Sequence, residues 1–524
     1  MRTLILRFGP NEAHESSPGT RLVQLVPGTP GTNQITWQPA SEVPVDEILL
    51  GEVFQTIRDE TGLAPLERRA LFLALFPALD FGGEYVFVLS PGKDEPDPAL
   101  AALAQALARG TQNYSRAGIV HGQTDRAYAE NTTAAVTFRG GEVAVTKFKG
   151  EGRPLRIMRA VSWHDFPGEW EEVVPAEPYS RSPPMVVDNP EWLAQRLAQA
   201  MAEACQTTRA GLLGVLRNIT IVGDGAVHDG RLRILAESLQ NIAQERVIPH
   251  FYRLSNHSFA SLGWWDEEEE LDLPNLVMLK QAYDGNYGHW VMETLPRMGM
   301  VAERFSPADC HVMVMGWYAP MVPVHADSLR WCGVLPEKIL VSRNSPIHAK
   351  RVIFPTPICD PPWVFAPFAI RFLERLAARV QAAHPDMAAA AGERLYLSRN
   401  RFGRRVLRNE EEVTAFLAAR GYRVFYPDTL SFTDQVLALS RATHVVANMG
   451  AALTNAVFAP RGVRVLALAT ENMPDDFFWD ITAQKGGSYF SLHGRATEPE
   501  KGMQADFSIG LDRLREVFAL FDPG

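Results

Sequence analysis

Short apolar runs alternate with longer stretches of helix-like spacing through most of the C-terminal half of this chain. LVMLKQ, HVMVMG, ILVSR and RVIFPTPI, between residues 276 and 358, predict buried strands, with a helix running through Leu329 between the second and third. Further on, RLYLSR, YRVFYP, THVVANM and RVLALAT predict four more strands, preceded by a helix over 364–383 and separated by further helices. Asn409 and Ser431 fit helix N-caps with Glu412 and Asp434 three residues on, and Gly421 fits a helix stop. Strand–helix alternation of this kind predicts parallel sheets covered by helices.

The N-terminal half is less regular. Residues 1–48 are broken by Pro-Gly and Gly-Thr pairs and predict short strands and loops. DEILLGEVFQTI and PLERRALFLALFPAL have helical spacing, and Gly82-Gly83 predicts a turn before the strand EYVFVLSPG. That order resembles the later half of a Rossmann-type methyltransferase, although the glycine-rich cofactor loop of such a domain is missing; an accessory domain is the alternative, and no catalysis is assigned to it. AAVTFRG and EVAVTKFKG predict strands, VVPAEPYSRSPPMVVDNP a linker, and EWLAQRLAQAMAEACQTTRAGLL a helix. NITIVGDGAV and RLRILAES predict paired strands turning at Asp229-Gly230. The expected domains are an accessory α/β domain over 1–130, a β-rich segment with linker and helix over 131–204, and lobes over 205–360 and 361–524.

Composition narrows the class. A chain of 524 residues exceeds a single core, and 46% hydrophobic with 21% charged residues is ordinary for a globular protein. A net charge of −10 argues against a nucleic-acid binder. The four cysteines, Cys205, Cys310, Cys332 and Cys359, show neither paired nor metal-type spacing and predict reduced thiols of a cytoplasmic protein. The opening apolar run is too short for a signal-peptide core, and no apolar window is long enough to span a membrane.

Two stretches carry candidate chemistry. In NYGHWVMETLPR, from Asn286 to Arg297, a helix would place His289, Glu293 and Arg297 along one side. His289 starts near the right pKa for a general base, and Glu293 would need burial to approach it. Arg297, one turn on, offers Glu293 an ion pair instead, and Pro296 should kink the helix. In the second stretch, Arg399, Arg401, Arg404, Arg405 and Arg408 follow a strand, where doubly wound sheets bind ligands. Arginine forks suit diphosphate, and a solvated basic loop is the plain alternative. Gly450, Ala451 and Ala452 open a helix whose amides could approach a phosphate, with Thr454 and Asn455 one turn later.

Taken together, Tyr287-x-His289-Trp290, Glu293, Leu295-Pro296-Arg297, Ser398-Arg399, Arg405, Asn409-Glu410 and Gly450-Ala451-x-Leu453-Thr454-Asn455 resemble glycosyltransferase family 61, which includes bacterial capsular-polysaccharide biosynthesis proteins. The resemblance runs from about residue 205 to the C-terminus. It implies a GT-B fold of two facing Rossmann-like domains and an inverting transfer of sugar from a nucleotide-sugar to a glycan or other hydroxyl acceptor. On that reading His289 and Glu293 are catalytic, while Arg399, Arg405, Glu410, Gly450, Ala451, Thr454 and Asn455 hold the donor. Trp290 and Arg297 serve the acceptor side or the structure. No Asp-x-Asp follows a strand, so no metal or other cofactor is expected. Many members of the family carry His before the glycine where this chain has Met449, which leaves a non-catalytic glycan- or nucleotide-binding protein as the rival reading.

Overall fold

The computed structural model describes residues 3–8, 20–27, 37–39, 54–89, 96, 98–110, 129, 133–147, 156–187, 191, 195, 205–229, 233–239, 251–253, 258–261, 269–316, 318–342, 346–359, 364–387, 392–473 and 477–523. The chain forms two compact units. One gathers Met1–Pro167, Asn218–Leu271 and Asn344–Lys350; the other gathers Gly168–Arg217, Asp272–Arg343 and Arg351–Gly524.

In the first unit, Thr3–Phe8 pairs in parallel with Thr20–Pro27 and with Phe54–Asp59, which in turn pairs in parallel with Leu79–Val88. The hairpin of Glu142–Lys147 and Thr133–Arg139 completes the sheet antiparallel to Leu79–Val88. Phe54–Asp59 is therefore strand, not the helix its spacing predicts. Its register slips between Phe54 and Thr56, which puts Phe54 and Ile57, three apart, both into the core. Gly82 and Gly83 lie within the facing strand rather than in a turn. A Cβ on Gly83 would stand 2.6 Å from the Gln55 carbonyl oxygen, so the pair permits a close backbone approach. The expected helix over 46–53 lies outside the described residues, as does most of 188–204.

The second unit holds two runs of parallel strands, one of them part of a larger mixed sheet. In one, Leu276–Met278 lies between Ile347–Pro355, joined through Leu276–Val352 and Val277–Ile353, and His311–Met315, followed outward by Ile339–Ser342. In the other, Glu393–Leu397, Arg423–Phe425, Ala442–Asn448, Arg464–Thr470 and Ser488–Ala496 take the spatial order second, first, third, fourth, fifth. Alternate residues of these strands face opposite layers. Leu395, Val445, Ala447 and Val465 pack with Ile370, Leu373 and Val436; Tyr396, Val446 and Leu466 pack with Val413, Leu417 and Phe518. Helices thus cover both faces, as the strand–helix alternation predicts. Among these parallel strands the order reverses beside Leu276–Met278, and between Glu393–Leu397 and Ala442–Asn448. Ligands of such sheets gather outside the carboxyl ends of the strands at these reversals.

The Pro-rich stretch read as a linker is a docked strap. Met185–Val187 adds in parallel to Ser488–Ala496 as an edge strand, and Glu169–Val174 pairs with Gly211–Val222. Residues 205–213, expected to be helical, are the strand Cys205–Thr207 and the start of Gly211–Val222. The strap is pinned at Asp480, which is fully buried. Its carboxylate accepts from the Tyr179 hydroxyl (2.8 Å), the Phe365 amide (3.2 Å) and Gln484 Nε2 (2.9 Å), and Arg181 stands 3.5 Å away. Beside it Trp479 Nε1 donates to the Ser182 carbonyl at 2.7 Å, and the Arg181 guanidinium lies over the indole. Asp480→Ala strands these donors, and breaking a buried charged pair costs about 3–5 kcal/mol. Urea unfolding at neutral pH is expected to show a loss of that size.

Candidate functional site

The first part of the site grows from the carboxyl end of Leu276–Met278. After this strand the Asp284 carboxylate accepts from the Gln281 amide (2.8 Å) and the Thr294 hydroxyl (2.7 Å). Asn286 caps the helical turn Tyr287–His289 by accepting from the Gly288 amide. The helix then widens to a π-turn over Trp290–Thr294, closed by the Leu295 amide donating to the Trp290 carbonyl five residues back at 2.8 Å. Pro296 supplies the cause, having no N–H to give the Met292 carbonyl four residues earlier. The Cys359 thiol donates to that carbonyl instead, at 3.6 Å, and a regular helix resumes over Arg297–Ala302. The kink expected at Pro296 takes this form, one found often at functional sites.

Within the widened turn His289 Nδ1 lies 2.6 Å from Glu293 Oε1. The Tyr283 ring stacks on the imidazole with centroids 4.8 Å apart, and Phe477 meets it edge-on at 6.3 Å. Both side chains are largely buried, His289 19% exposed and Glu293 13%, so a small opening at most reaches them. The ion pair foreseen between Glu293 and Arg297 does not form; Glu293 is bonded to His289. Arg297 is buried and donates to the Pro355 carbonyl and to Gln281 Oε1 (3.1 Å), and burial pushes its guanidinium down to about 10. Trp290 is fully buried, its Nε1 donating to Ser328 Oγ at 2.9 Å. Trp290 and Arg297 therefore hold the turn in place rather than contact a ligand.

The second part follows the strand Glu393–Leu397. Arg399 lies against Gly450: a Cβ there would stand 2.6 Å from Arg399 Nη1, so only glycine leaves room for the guanidinium. Arg405 reaches the same place from the far end of the loop. Its Nη1 donates to the Met449 carbonyl at 3.2 Å and lies 3.4 Å from Met473 Sδ. Arg405 holds a positive φ of 54°, a conformation that costs a non-glycine residue about 1–3 kcal/mol and clusters at functional sites. Burial, then the neighbouring Arg405 and Arg404, push the Arg399 guanidinium down to about 10. Two guanidinium groups thus meet at one backbone turn. The Met449 side chain is buried in the core, and it is the residue's backbone that serves the site.

The remaining arginines divide. Arg401 stacks on Tyr426 at 3.7 Å, Arg408 pairs with Asp506 at 2.7 Å, and Arg404 is exposed. Glu410 accepts from the Tyr396 hydroxyl (2.8 Å) and Ser398 Oγ (2.7 Å), which makes it a brace beneath the loop. Asn409 precedes its helix as expected but does not cap it; its amide exchanges hydrogen bonds with the Ile509 backbone.

The helix expected after Gly450 is a 3₁₀ helix, Ala451–Phe458. Gly450 is extended, so close approach rather than an unusual φ explains the glycine. Ala451 is partly exposed beside the arginines, whereas Thr454 and Asn455 are fully buried. Asn455 is engaged by neighbouring side chains. Asn455 Oδ1 accepts from the Tyr287 hydroxyl at 2.5 Å, and its Nδ2 donates to Gln435 Oε1 at 2.7 Å. Gly288 approaches Thr454 so closely that a Cβ would stand 2.9 Å from its hydroxyl. This brace ties the helical turn of His289 to the element that follows Gly450. Sequence reasoning missed Tyr283, Asn400, Gln435 and Phe477 as parts of the site. Only Asn400, in the polar loop after a strand, carried a local signal.

Among the described residues no group of three or more His, Cys, Asp or Glu is placed to hold a metal ion, and no helix is long and apolar enough to cross a membrane. Residues 287–466, which include His289, Glu293, Arg399, Arg405 and Gly450, match Glycosyltransferase 61. No curated protein matches the chain. Among solved structures, the MycE methyltransferase from the mycinamycin biosynthetic pathway, in complex with Mg and SAH, is 16% identical over 29% of this chain and 45% of that one. The TM-score is 0.19, too low to bear on fold or activity.

Burial gives Asp284 a pH-dependent role. It pushes the carboxyl up to about 7, above the unfolded value of about 3.9. The stability this group contributes is complete below the unfolded value and is lost as pH rises through 7. Unfolding free energy measured from pH 4 to 7 is expected to fall less steeply in Asp284→Asn than in the parent chain.

Proposed function

We propose that this chain, whose residues 287–466 match Glycosyltransferase 61, is an enzyme of that family and an inverting, metal-independent transferase moving a sugar from a nucleotide-sugar to a glycan or other hydroxyl acceptor. The observation that carries the reading is one short span of structure. It holds Arg399 and Arg405 against Met449-Gly450, and the Tyr287–Asn455 brace joins it to the His289–Glu293 pair. On this reading residues 361–524 hold the donor and residues 205–360 present the acceptor, as the facing lobes of a GT-B fold, and residues 1–204 are accessory.

The roles follow from the hydrogen bonds. An ionised carboxylate only accepts, so Glu293 fixes the proton on His289 Nδ1 and leaves Nε2 as the base. Nε2 takes the proton from the acceptor hydroxyl while that oxygen bonds to the anomeric carbon. The bond from this carbon to the diphosphate breaks in the same step, and the leaving oxygen departs with its electron pair. Attack opposite the leaving group inverts the carbon. Arg399 and Arg405 stabilise the charge that develops on the diphosphate, the work a preorganised cationic site does best. Glu293 is a positioning residue in this scheme, and Glu410, Thr454 and Asn455 position the donor side from beneath. A part in polysaccharide biosynthesis, such as capsule assembly, and a cytoplasmic location belong to the same proposal.

Three variants test it. Arg405→Ala is expected to weaken nucleoside diphosphate binding about tenfold or more, the order of a charged hydrogen bond. Glu293→Gln is expected to spare that binding and lower turnover, and His289→Ala to remove the factor of about 10²–10⁴ that general base catalysis supplies. Donor turnover should persist with EDTA. Unchanged turnover in Glu293→Gln and Arg405→Ala, or activity abolished by EDTA, contradicts the scheme. Binding without turnover in the parent chain favours the non-catalytic reading.

A further inference from the structure

The loop that carries Arg399 and Arg405 also carries an aromatic ring that the mechanism above does not use. Phe402 is 51% exposed, and the Arg399 guanidinium lies 4.7 Å from its ring centroid. A single exposed apolar side chain is ordinary on a protein surface. This one differs in how firmly its loop is held and in what lies next to it. Asn400 ties the loop across its base, its Nδ2 donating to the Leu407 carbonyl (2.9 Å) while its Oδ1 accepts from the Leu407 amide (2.8 Å) and from Asn448 Nδ2 (3.2 Å). Arg401 clamps the outer side by stacking on Tyr426. The Phe402 amide donates to the Arg399 carbonyl at 2.9 Å, and Gly403 turns the chain with φ at 71°. The ring is thus presented to solvent by a short, cross-braced loop.

We propose that Phe402 is the stacking platform for the nucleobase of the donor, making the aromatic ring and the two guanidinium groups a single subsite for a nucleoside diphosphate. The inference rests on the donor-side reading above. Arg399 joins the two halves of the subsite, since it touches Gly450 at one end of its guanidinium environment and the Phe402 ring at the other. A base laid on that ring keeps the diphosphate beside Arg399 and Arg405. Stacking is tolerant of base identity because every base offers a π-face, so Phe402 selects a nucleotide over a bare phosphate without choosing the base.

The test compares two probes on the full-length chain, uridine diphosphate or guanosine diphosphate against inorganic pyrophosphate, by isothermal titration. Phe402→Ala is expected to weaken nucleoside diphosphate binding about tenfold or more, the order that base–aromatic stacking supplies, and to leave pyrophosphate binding unchanged. Phe402→Trp should restore the nucleotide affinity. Arg405→Ala should weaken both probes. Equal affinities of parent and Phe402→Ala for the nucleotide, or equal losses for both probes, overturn the platform while leaving the arginine site standing. Failure of the parent chain to bind either probe overturns the donor-side reading and the platform with it.

Discussion

The constraint on which the site depends is the seating of two arginines against one backbone turn, with Arg399 largely buried there. Arg399 and Arg405 are drawn to the same backbone turn at Met449-Gly450, and Arg404 lies close by. The surrounding structure braces the loop through Asn400 across its base, Glu410 beneath Ser398 and Tyr396, and Arg401 stacked on Tyr426. The strained backbone of Arg405 belongs to the same pattern. Held-together cations gain most from an anion with several oxygens, which is the chemical argument for a diphosphate.

Topology puts this loop where it is useful. The strand order of the C-terminal sheet reverses between Glu393–Leu397 and Ala442–Asn448, and the segments leaving those two strands are the arginine loop and the Gly450 turn. The partner sheet reverses beside Leu276–Met278, whose carboxyl end leads to the turn of His289. Elements that follow the two sheets' strands are joined by a part-buried hydrogen bond between Tyr287 and Asn455, residues that lie 168 apart in sequence. Pro296 adds a local device, since the π-turn it forces lies in the segment that holds His289 against Glu293.

Strands such as His311–Met315 and Arg464–Thr470 were legible because each buries a continuous apolar run between polar turns. The N-terminal unit misled where a bulge imitated another period. Phe54 and Ile57 are three apart and both buried, as on a helix, because the strand slips register between them. In the site, residue type and position after a strand pointed to five arginines and to Gly450, and only the family resemblance set Arg399 and Arg405 apart. Thr454 and Asn455 were assigned to the donor through the family resemblance. Their burial depends on Tyr287 and Gly288, a long-range contact that local pattern does not encode. The partner of Glu293 escaped for a related reason: i,i+4 spacing offers both His289 and Arg297, and the buried Pro355 carbonyl decides by taking Arg297.

The most direct test of the central claim is a crystal structure of the chain with a nucleoside diphosphate bound in the presence of a chelator. The account predicts the diphosphate against Arg399, Arg405 and the Gly450 turn, on the side from which His289 can reach an acceptor. A diphosphate bound elsewhere, or one bound at this turn only when a metal ion is supplied, would contradict it.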